Sequence, residues 1–278
     1  MLSSHNYAPA ADLAPYVRNH FVFRAPLPVD MELVDDLLSE TAMIRILLQG
    51  DWAAAFAPGA WASEGPTILF GANTRCFKVR VRGPFVVVGS AIRPCGWASL
   101  FTHKADAWTD RMVPLAEGWG DDAAAALYRD VADADDDTGV VAALEHGLRA
   151  RLHALGTRSI DPAMAAFETL ANNDSTARVA DAATTLDLSI PALNRRCLAT
   201  FGLTPKAILR RSRFLDMASV LRAISNPGEH ETAALRFADQ SHLNREFRYF
   251  VNMTPGEFKR ASTPLLNAVL TLRAERNA

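Results

Sequence analysis

The stretch Leu193-Asn194-Arg195-Arg196-Cys197, followed by Gly202-Leu203-Thr204-Pro205, has a second copy further along the chain. That copy is Leu243-Asn244-Arg245-Glu246-Phe247, followed by Asn252-Met253-Thr254-Pro255, and five residue types match at a constant offset. In each copy the periodicity indicates a short helix with basic residues near its start, preceded by another short helix. This repeat predicts two tandem helix-turn-helix units.

A polar break precedes each second helix, Asp187-Leu188-Ser189 in the first unit and Ala238-Asp239-Gln240 in the second, and supplies candidate helix caps. A long helix predicted over residues 205–223 joins the units, so that both recognition helices can enter successive major grooves about 34 Å apart. The major groove offers a distinct donor and acceptor pattern for each base pair. The sequence therefore predicts sequence-specific binding of double-stranded DNA.

The charge is unevenly distributed over the 278 residues. Residues 1–156 hold 13 Lys and Arg against 19 Asp and Glu, a net charge of −6, whereas residues 157–278 hold 16 against 12, a net charge of +4. A basic C-terminal segment fits a polyanionic partner, although a charge of this size proves little alone. Neither an apolar run long enough to cross a membrane nor an export signal is visible, so we expect a cytoplasmic location and no membrane partner.

The N-terminal part has the alternation typical of strands, most clearly from Arg75 to Arg82, where apolar and cationic residues alternate. Further strands are predicted over residues 42–48, 67–70 and 85–92, with a turn at Gly83-Pro84, and helices over residues 93–101, 121–131 and 138–155. Beyond Asp161-Pro162 every segment favours helix, over residues 162–171, 176–186, 190–201, 205–223, 231–238, 241–250 and 255–261. The predicted fold is α+β, with a β-rich N-terminal domain (1–156), an all-α DNA-binding domain (160–262) and a C-terminal extension (263–278).

The helical part resembles the AraC/XylS family of transcription regulators over residues 160–262. The matching residues are Ser189, Leu193, Arg195, Gly202 and Thr204-Pro205 in the first unit, Arg210 and Arg213-Phe214 in the linking helix, and Phe237, Asp239-Gln240-Ser241-His242-Leu243, Arg245, Phe247 and Thr254-Pro255 in the second. Residues 7–155 resemble an uncharacterised sensor-type domain often fused to such DNA-binding domains, through Ala14-Pro15-Tyr16-Val17 and Arg93-Pro94-x-Gly96-Trp97.

The resemblance implies a set of base-contacting positions. In the first unit they fall on Pro191, Asn194 and Arg195, with Arg196 nearby for phosphate. In the second unit they fall on Gln240, Ser241, His242, Asn244 and Arg245. The chain departs from the family where Asp187, Arg236 and Asn252 stand for turn glycines and where Cys197 replaces an aromatic residue. Asp and Asn tolerate a left-handed backbone more readily than Arg does, so we expect the first unit to be the surer base reader.

For the N-terminal domain the sequence offers Arg93 and Trp97 as candidate ligand-binding residues, because a guanidinium at a helix start is suited to an anion. The cationic strand residues Lys78, Arg80 and Arg82 favour a solvated sheet face over an anion pocket. Histidine and cysteine spacing predicts no metal site, no cofactor and no catalytic residue, and the three cysteines are expected to be buried or half-buried thiols.

The predicted function is a sequence-specific transcription regulator, not an enzyme, that responds to a small molecule or partner through its N-terminal domain. Two alternatives stay open. One is a DNA-bound scaffold that dimerises through an apolar stripe between Val141 and Leu155. The other is an enzyme fused to a DNA-binding domain, with Cys95 as the residue to check. Besides DNA, the candidate partners are a small-molecule effector, RNA polymerase and a second copy of the chain.

Overall fold

The computed structural model describes residues 3–57, 59–156, 159–225 and 240–277. It has the predicted α+β organisation, with an antiparallel sheet and its helices first and a helical region after them. Within the described residues, none of the helices has the length and apolarity needed to cross a membrane.

The sheet has the order β1-β2-β7-β4-β6-β8, with β3 paired to β7 and β5 paired to β4, and its pairs are antiparallel. Its strands are β1 Ser3–Tyr7, β2 Val17–Pro26, β3 Glu32–Leu37, β4 Met43–Ala55, β5 Trp61–Ala62, β6 Thr67–Phe70, β7 Phe77–Ile92 and β8 Met112–Pro114. The sequence predicted the first half of β4, β6 and both halves of β7, and it did not identify β1, β2, β3, β5 or β8.

The predicted turn at Gly83-Pro84 is wrong, because β7 continues through it as one strand. Gly83 adopts a positive φ of 67°, and the strand changes neighbours there. Before it β7 pairs with β3, and from Pro84 onward it pairs with β2. Glycine and proline thus mark a bend within a strand, which a single sequence does not distinguish from a hairpin turn.

The two faces of the sheet bury different cores. One face packs against the helices of the N-terminal domain through residues that include Val22, Ile44 and Val88. The opposite face carries an aromatic and aliphatic layer that includes Phe23, Phe70, Phe77, Val79, Val81, Phe85 and Val87. This second face lines the cavity described below.

The helices follow the predicted pattern with small shifts at their ends. They are α1 Trp97–Leu100, α2 Ala116–Trp119, α3 Asp121–Ala132, α4 Asp137–Leu155, α5 Pro162–Asn173, α6 Val179–Thr185, α7 Ile190–Phe201, α8 Pro205–Leu221, α9 Gln240–Val251, α10 Pro255–Arg260 and α11 Pro264–Asn277. The helix predicted over residues 231–238, together with Arg236, Phe237 and Asp239, lies outside the described residues. The segment treated from sequence as a C-terminal extension forms the helix α11.

Candidate nucleic-acid interface and ligand cavity

Helices α6 and α7 form a helix-turn-helix whose turn is fixed by hydrogen bonds. Asp187 has a positive φ of 52°, the backbone N–H of Leu188 donates to the carbonyl of Ala183 at 2.9 Å, and that of Asp187 donates to Thr184 at 3.1 Å. This pattern is a Schellman motif, which normally has glycine at the left-handed position. Asp187, which the sequence places where the family has a turn glycine, therefore has the left-handed backbone conformation expected at that position.

Helix α7 begins at a capped and exposed end. Ser189 accepts a hydrogen bond from the backbone N–H of Ala192 at 3.3 Å, and the next two residues, Ile190 and Pro191, are exposed. On the inner face Leu193 and Cys197 are fully buried in the core of this unit. One face of α7 thus holds the helix in the core, and the opposite face is a polar surface that is free to bind.

The polar surface of α7 carries the residues predicted to contact bases. Arg195 is exposed and Asn194 is half-buried, whereas Arg196 lies within 3.4 Å of Asp161 at its guanidinium Nη1. Arg196 therefore has an ion-pair partner within the protein, and Arg195 is the more available cation. A guanidinium with free donors near a helix start has the geometry for guanine or phosphate contact.

The second unit repeats the arrangement through α9. Gln240, Ser241 and Arg245 are exposed, whereas His242 and Asn244 are half-buried. The Gln240 amide donates to Asn244 Oδ1 at 3.5 Å, and His242 Nε2 lies 3.6 Å from Glu246 Oε1. These contacts within the helix occupy part of the polar surface that α7 leaves free.

The ends of both recognition helices are matched. Gly202 has a φ of 75° and Asn252 a φ of 55°, so the two equivalent positions share the left-handed conformation. After each, a threonine caps the next helix: Thr204 accepts from Ala207 N, and Thr254 forms a capping box with Glu257. The sequence repeat therefore corresponds to a structural repeat at these helix ends.

Helix α8 joins the two units and is held to the second. The guanidinium of Arg210 donates to Glu246 at 2.8 and 2.9 Å and lies 3.9 Å from the centroid of the Tyr249 ring. Arg210 therefore has a structural role in joining the linking helix to α9.

A cavity lies on the second face of the sheet. It is partly open to solvent and mostly apolar. The strand residues that line it include Phe21, Phe23, Val79, Val81, Phe85 and Val87. Its polar residues include Arg18, Glu40 and Arg45. A concave, largely apolar space with few polar groups is typical of a small-molecule site.

Helix α11 forms one wall of this cavity and also part of the DNA-binding core. Leu265 and Val269 line the cavity, whereas Leu266 and Leu270 are fully buried with the core residues of the second unit. The backbone N–H of Leu265 donates to Asp35 of β3 at 2.5 Å. A single helix therefore contacts the cavity on one side and the second helix-turn-helix on the other.

Two buried arginines hold these parts together. Arg273 on α11, only 1% exposed, pairs with Asp216 of α8 at 2.7 Å and with Glu40 next to the cavity. Arg211 on α8 donates to the carbonyl of Asn73 at 2.8 Å and to those of Ser39 and Glu40. These bonds hold charged groups away from water, and they require the β domain and the linking helix to keep their relative positions.

Family models match both parts of the chain. Residues 182–261 match a helix-turn-helix domain, and residues 5–114 match a domain of unknown function (DUF6597). The chain carries an AraC-type helix-turn-helix domain. Domains of this type indicate a DNA-binding transcription regulator, which agrees with the prediction from the sequence repeat.

The fold is also similar to solved structures of ToxT from Vibrio cholerae. One is 13% identical, covering 93% of this chain and 97% of that chain, with a TM-score of 0.48. A second, bound to an unsaturated fatty acid, is 13% identical over 86% and 94% of the two chains, with a TM-score of 0.45. A third, bound to (E)-4-(8-methylnaphthalen-1-yl)but-3-enoic acid, is 12% identical over 93% and 98%, with a TM-score of 0.47. None of the curated proteins matches the sequence. These similarities are too distant to carry a ligand over to this chain.

Arg93 and Trp97, the residues predicted to bind a ligand, lie outside the large cavity. Trp97 is 2% exposed, stacks on Phe101 at 4.3 Å between centroids, and donates its indole N–H to the His103 carbonyl. Arg93 donates to Glu168 at 3.3 Å and to the Ala14 carbonyl at 3.2 Å. Both side chains have packing or ion-pair partners that account for them structurally.

The thiols are buried or half-buried, as the sequence predicted. Burial raises the pKa of Cys95 to about 12, and the neighbouring Glu168 adds to the increase. Burial likewise raises the pKa of Cys197, in the core of the AraC-type domain, to about 12. A thiol held in this way is a poor nucleophile at neutral pH.

Two further predictions concern the surface of the N-terminal domain. Lys78 pairs with Asp36 at 2.9 Å and Arg82 pairs with Glu32 at 2.8 Å, so the cationic strand face is solvated and ion-paired. The stripe on α4 is used internally, because Leu144 and Leu148 are 1% exposed and belong to the core of the N-terminal domain. It therefore does not offer a free dimerisation face.

The residues that sequence reasoning missed are Arg45 and the cavity wall on α11. A signal for Arg45 was present, because one charge interrupts the apolar run Met43-Ile44-Arg45-Ile46-Leu47. The wall of α11 had no comparable signal, since its apolar residues occur on more than one side of the helix.

Proposed function

We propose that this protein is a sequence-specific transcription regulator in which α7 of the AraC-type domain is the principal base-reading helix. The observation that carries the proposal is the exposed start of α7, where Arg195 projects from a Ser189-capped helix anchored by Leu193 and Cys197. A helix that enters the major groove needs one face held in the core of its domain and an opposite face with free hydrogen-bond donors. Pro191 and Asn194 are proposed to complete its base contacts, and Arg196 to contact phosphate when released from Asp161.

The second unit is proposed to add affinity more than selectivity. Gln240 and Asn244 are hydrogen-bonded to each other, and His242 lies near Glu246, so each base contact would replace an existing interaction. Arg245 and Ser241 are exposed and are proposed to contact the DNA directly. With α8 fixing the spacing, the two units would occupy successive major grooves of one DNA face.

The N-terminal domain is proposed to bind a small-molecule effector in the cavity. Support comes from α11, which contacts the cavity through Val269 and the second unit through Leu270. A ligand that moves α11 would change the packing of both, and Arg273 would carry the change to α8. The dimeric scaffold is less favoured, because the α4 stripe is occupied within the protein.

We also propose that the protein is not an enzyme. Cys95, the residue on which the enzymatic alternative rests, is buried, donates to Glu168 and has a pKa raised to about 12, so it is a poor nucleophile at neutral pH. Cys95→Ser is expected to leave transcriptional output unchanged in a reporter assay. A cytoplasmic location, RNA polymerase contact and self-association stay predictions of the regulator hypothesis, and analytical ultracentrifugation of the full chain tests the last of these.

The decisive experiment selects DNA bound by the full chain from a random pool and then measures variants on the selected site. Arg195→Ala is expected to cost about 1–3 kcal/mol on that site and to relax preference at one base position. Arg129→Ala, an exposed arginine on α3, is the matched control for the change in charge. Equal losses for Arg195→Ala on selected and random DNA, or no enriched sequence across a salt series, would contradict base reading.

A further inference from the structure

Arg45 is a half-buried arginine of the β domain that lines the cavity. It lies on β4, directly opposite Gly89 of β7, and Gly89 lies opposite Phe21 of β2. These three residues share one face of the sheet, the face that lines the cavity. At Gly89 a Cβ would come within 2.8 Å of the Phe21 ring, so the glycine leaves the space that this ring occupies beside Arg45.

The guanidinium of Arg45 has aromatic neighbours but no acceptor among the described residues. Its Cζ lies 5.6 Å from the Phe21 ring centroid and 5.1 Å from that of Phe70. Its Nε is buried without a hydrogen-bond partner within the described part of the chain. Burial alone lowers the pKa of Arg45 to about 10, with no acidic side chain contributing to the shift.

The two arginines that are almost fully buried, Arg211 and Arg273, have partners for their charge. Arg273 pairs with two carboxylates, and Arg211 donates to three backbone carbonyls. Arg18, which also lines the cavity, is already paired with Glu40 and Glu168. Arg45, half-buried in the cavity wall, is therefore a cation that a bound anion can neutralise.

A buried charge without a counter-charge is unfavourable, and contacts with ring faces recover only part of its lost hydration. A carboxylate recovers far more, because it accepts two parallel N–H bonds from a guanidinium. The cavity walls around Arg45 are apolar, with Phe23, Val87 and Val269 among them. Of the two arginines that line this space among the described residues, Arg18 is therefore ion-paired and Arg45 is not.

We propose that the cavity binds an organic monoanion, a carboxylate on an apolar body, and that the carboxylate pairs with Arg45. This assignment rests on the proposed function only in treating the bound acid as the effector. The apolar body fills the space between the sheet and α11, where Leu265 and Val269 would contact it. In this arrangement the carboxylate binds Arg45, and the apolar body packs against the apolar walls of the cavity.

The test uses matched probes on the full chain. Octanoate and decanoate are compared with octanol and decanol, which have the same apolar bodies and no charge, by isothermal titration calorimetry below the micelle concentration. Each acid is expected to bind at least about tenfold more tightly than its alcohol. Arg45→Met should weaken acid binding by about 30-fold or more and leave alcohol binding unchanged. Arg82→Met, on the ion-paired opposite face of the sheet, is the control and should change neither.

A second measurement protects the test against a folding defect. If Arg45 is a partly desolvated charge without a counter-charge, Arg45→Met without ligand should unfold at the same or a higher temperature than the natural protein. A lower unfolding temperature would show that Arg45 is a structural side chain held by Phe21 and Phe70, and would overturn the assignment. Arg45→Lys keeps the charge and is expected to retain part of the preference for acids.

The remaining outcomes also decide the question. Equal affinity for acids and alcohols, no effect of Arg45→Met, or no binding of either acid would overturn the proposal. DNA selection is carried out separately on the ligand-free chain. Failure to enrich a DNA sequence would therefore count against the proposed function while leaving the Arg45 result intact, and failure of acid binding would leave the DNA result intact.

Discussion

Replacing Arg273 by methionine removes the charge that joins α11 to both other parts of the protein. The guanidinium is 1% exposed and contacts Asp216 at 2.7 and 2.9 Å, Glu40, and the Ser212 carbonyl at 3.4 Å. Methionine keeps the apolar stem of the side chain and removes the guanidinium, so the main loss is that of its ion pairs and hydrogen bonds. Removing one partner of a buried ion pair typically costs about 3–5 kcal/mol, because the remaining carboxylates stay buried without a counter-charge.

Two side chains reduce this cost. Glu40 still pairs with Arg18, and Asp216 still accepts from the Ser175 hydroxyl at 2.5 Å, so we expect a loss near the lower end, about 3 kcal/mol. Urea unfolding, followed by tryptophan fluorescence and circular dichroism, measures it as a lower midpoint at an unchanged slope. Adding Asp216→Asn to Arg273→Met should recover part of the loss, because the second change removes an uncompensated charge.

The control is Arg129→Met, which removes an exposed arginine from α3 and is expected to change the stability by less than about 0.5 kcal/mol. A loss below about 1 kcal/mol for Arg273→Met would place this ion pair in the range of solvated surface pairs. That result would refute the conclusion that α11 is clamped to α8 by a desolvated charge. Full additivity of the two changes would refute the direct coupling of Arg273 with Asp216.

Two further predictions concern the backbone and pH. Ala223 ends α8 with a positive φ of 55°, so Ala223→Gly should raise the free energy of unfolding by about 1 kcal/mol, whereas Ala166→Gly within α5 should lower it by a similar amount in the same urea titration. Burial raises the pKa of Asp35 to about 6 from 3.8, so its protonated form stabilises the fold below about pH 4, and that stabilisation is lost as the pH rises through 6. Asp35→Asn should therefore reduce the decline in stability between pH 4 and 6 by up to about 3 kcal/mol, and an unchanged pH profile would contradict the assignment.

The DNA-binding part was predictable because its signals are local. Ser189 caps α7, and Thr204-Pro205 and Thr254-Pro255 begin α8 and α10. Caps, prolines at the first helical turn and the spacing of buried residues act within a few positions of the chain. A repeat with a constant offset then fixed the equivalence of the two units, including the left-handed Asn252.

The β domain was less predictable because its partners are distant in sequence. Strand β7 pairs with β2 and β4, which lie far before it, and the Gly83-Pro84 bend resembles a hairpin turn when seen alone. Trp97 illustrates the same limit for function. Its position after Arg93-Pro94, at a predicted helix start, suggested a ligand site, and only the packing against Phe101 and Trp108 shows that it belongs to the core.

The sequence by itself determined the helix-turn-helix repeat, the basic exposed start of α7 and the α+β division of the chain, because those features depend on neighbouring residues and on periodicity. Tertiary structure decided where the cavity lies, that α11 is shared between the cavity and the DNA-binding core, and that Arg45 lines the cavity without a counter-charge while Arg273 has two. These properties arise from side chains brought together across long loops. Whether a buried charge is satisfied depends on neighbours that the linear order does not specify.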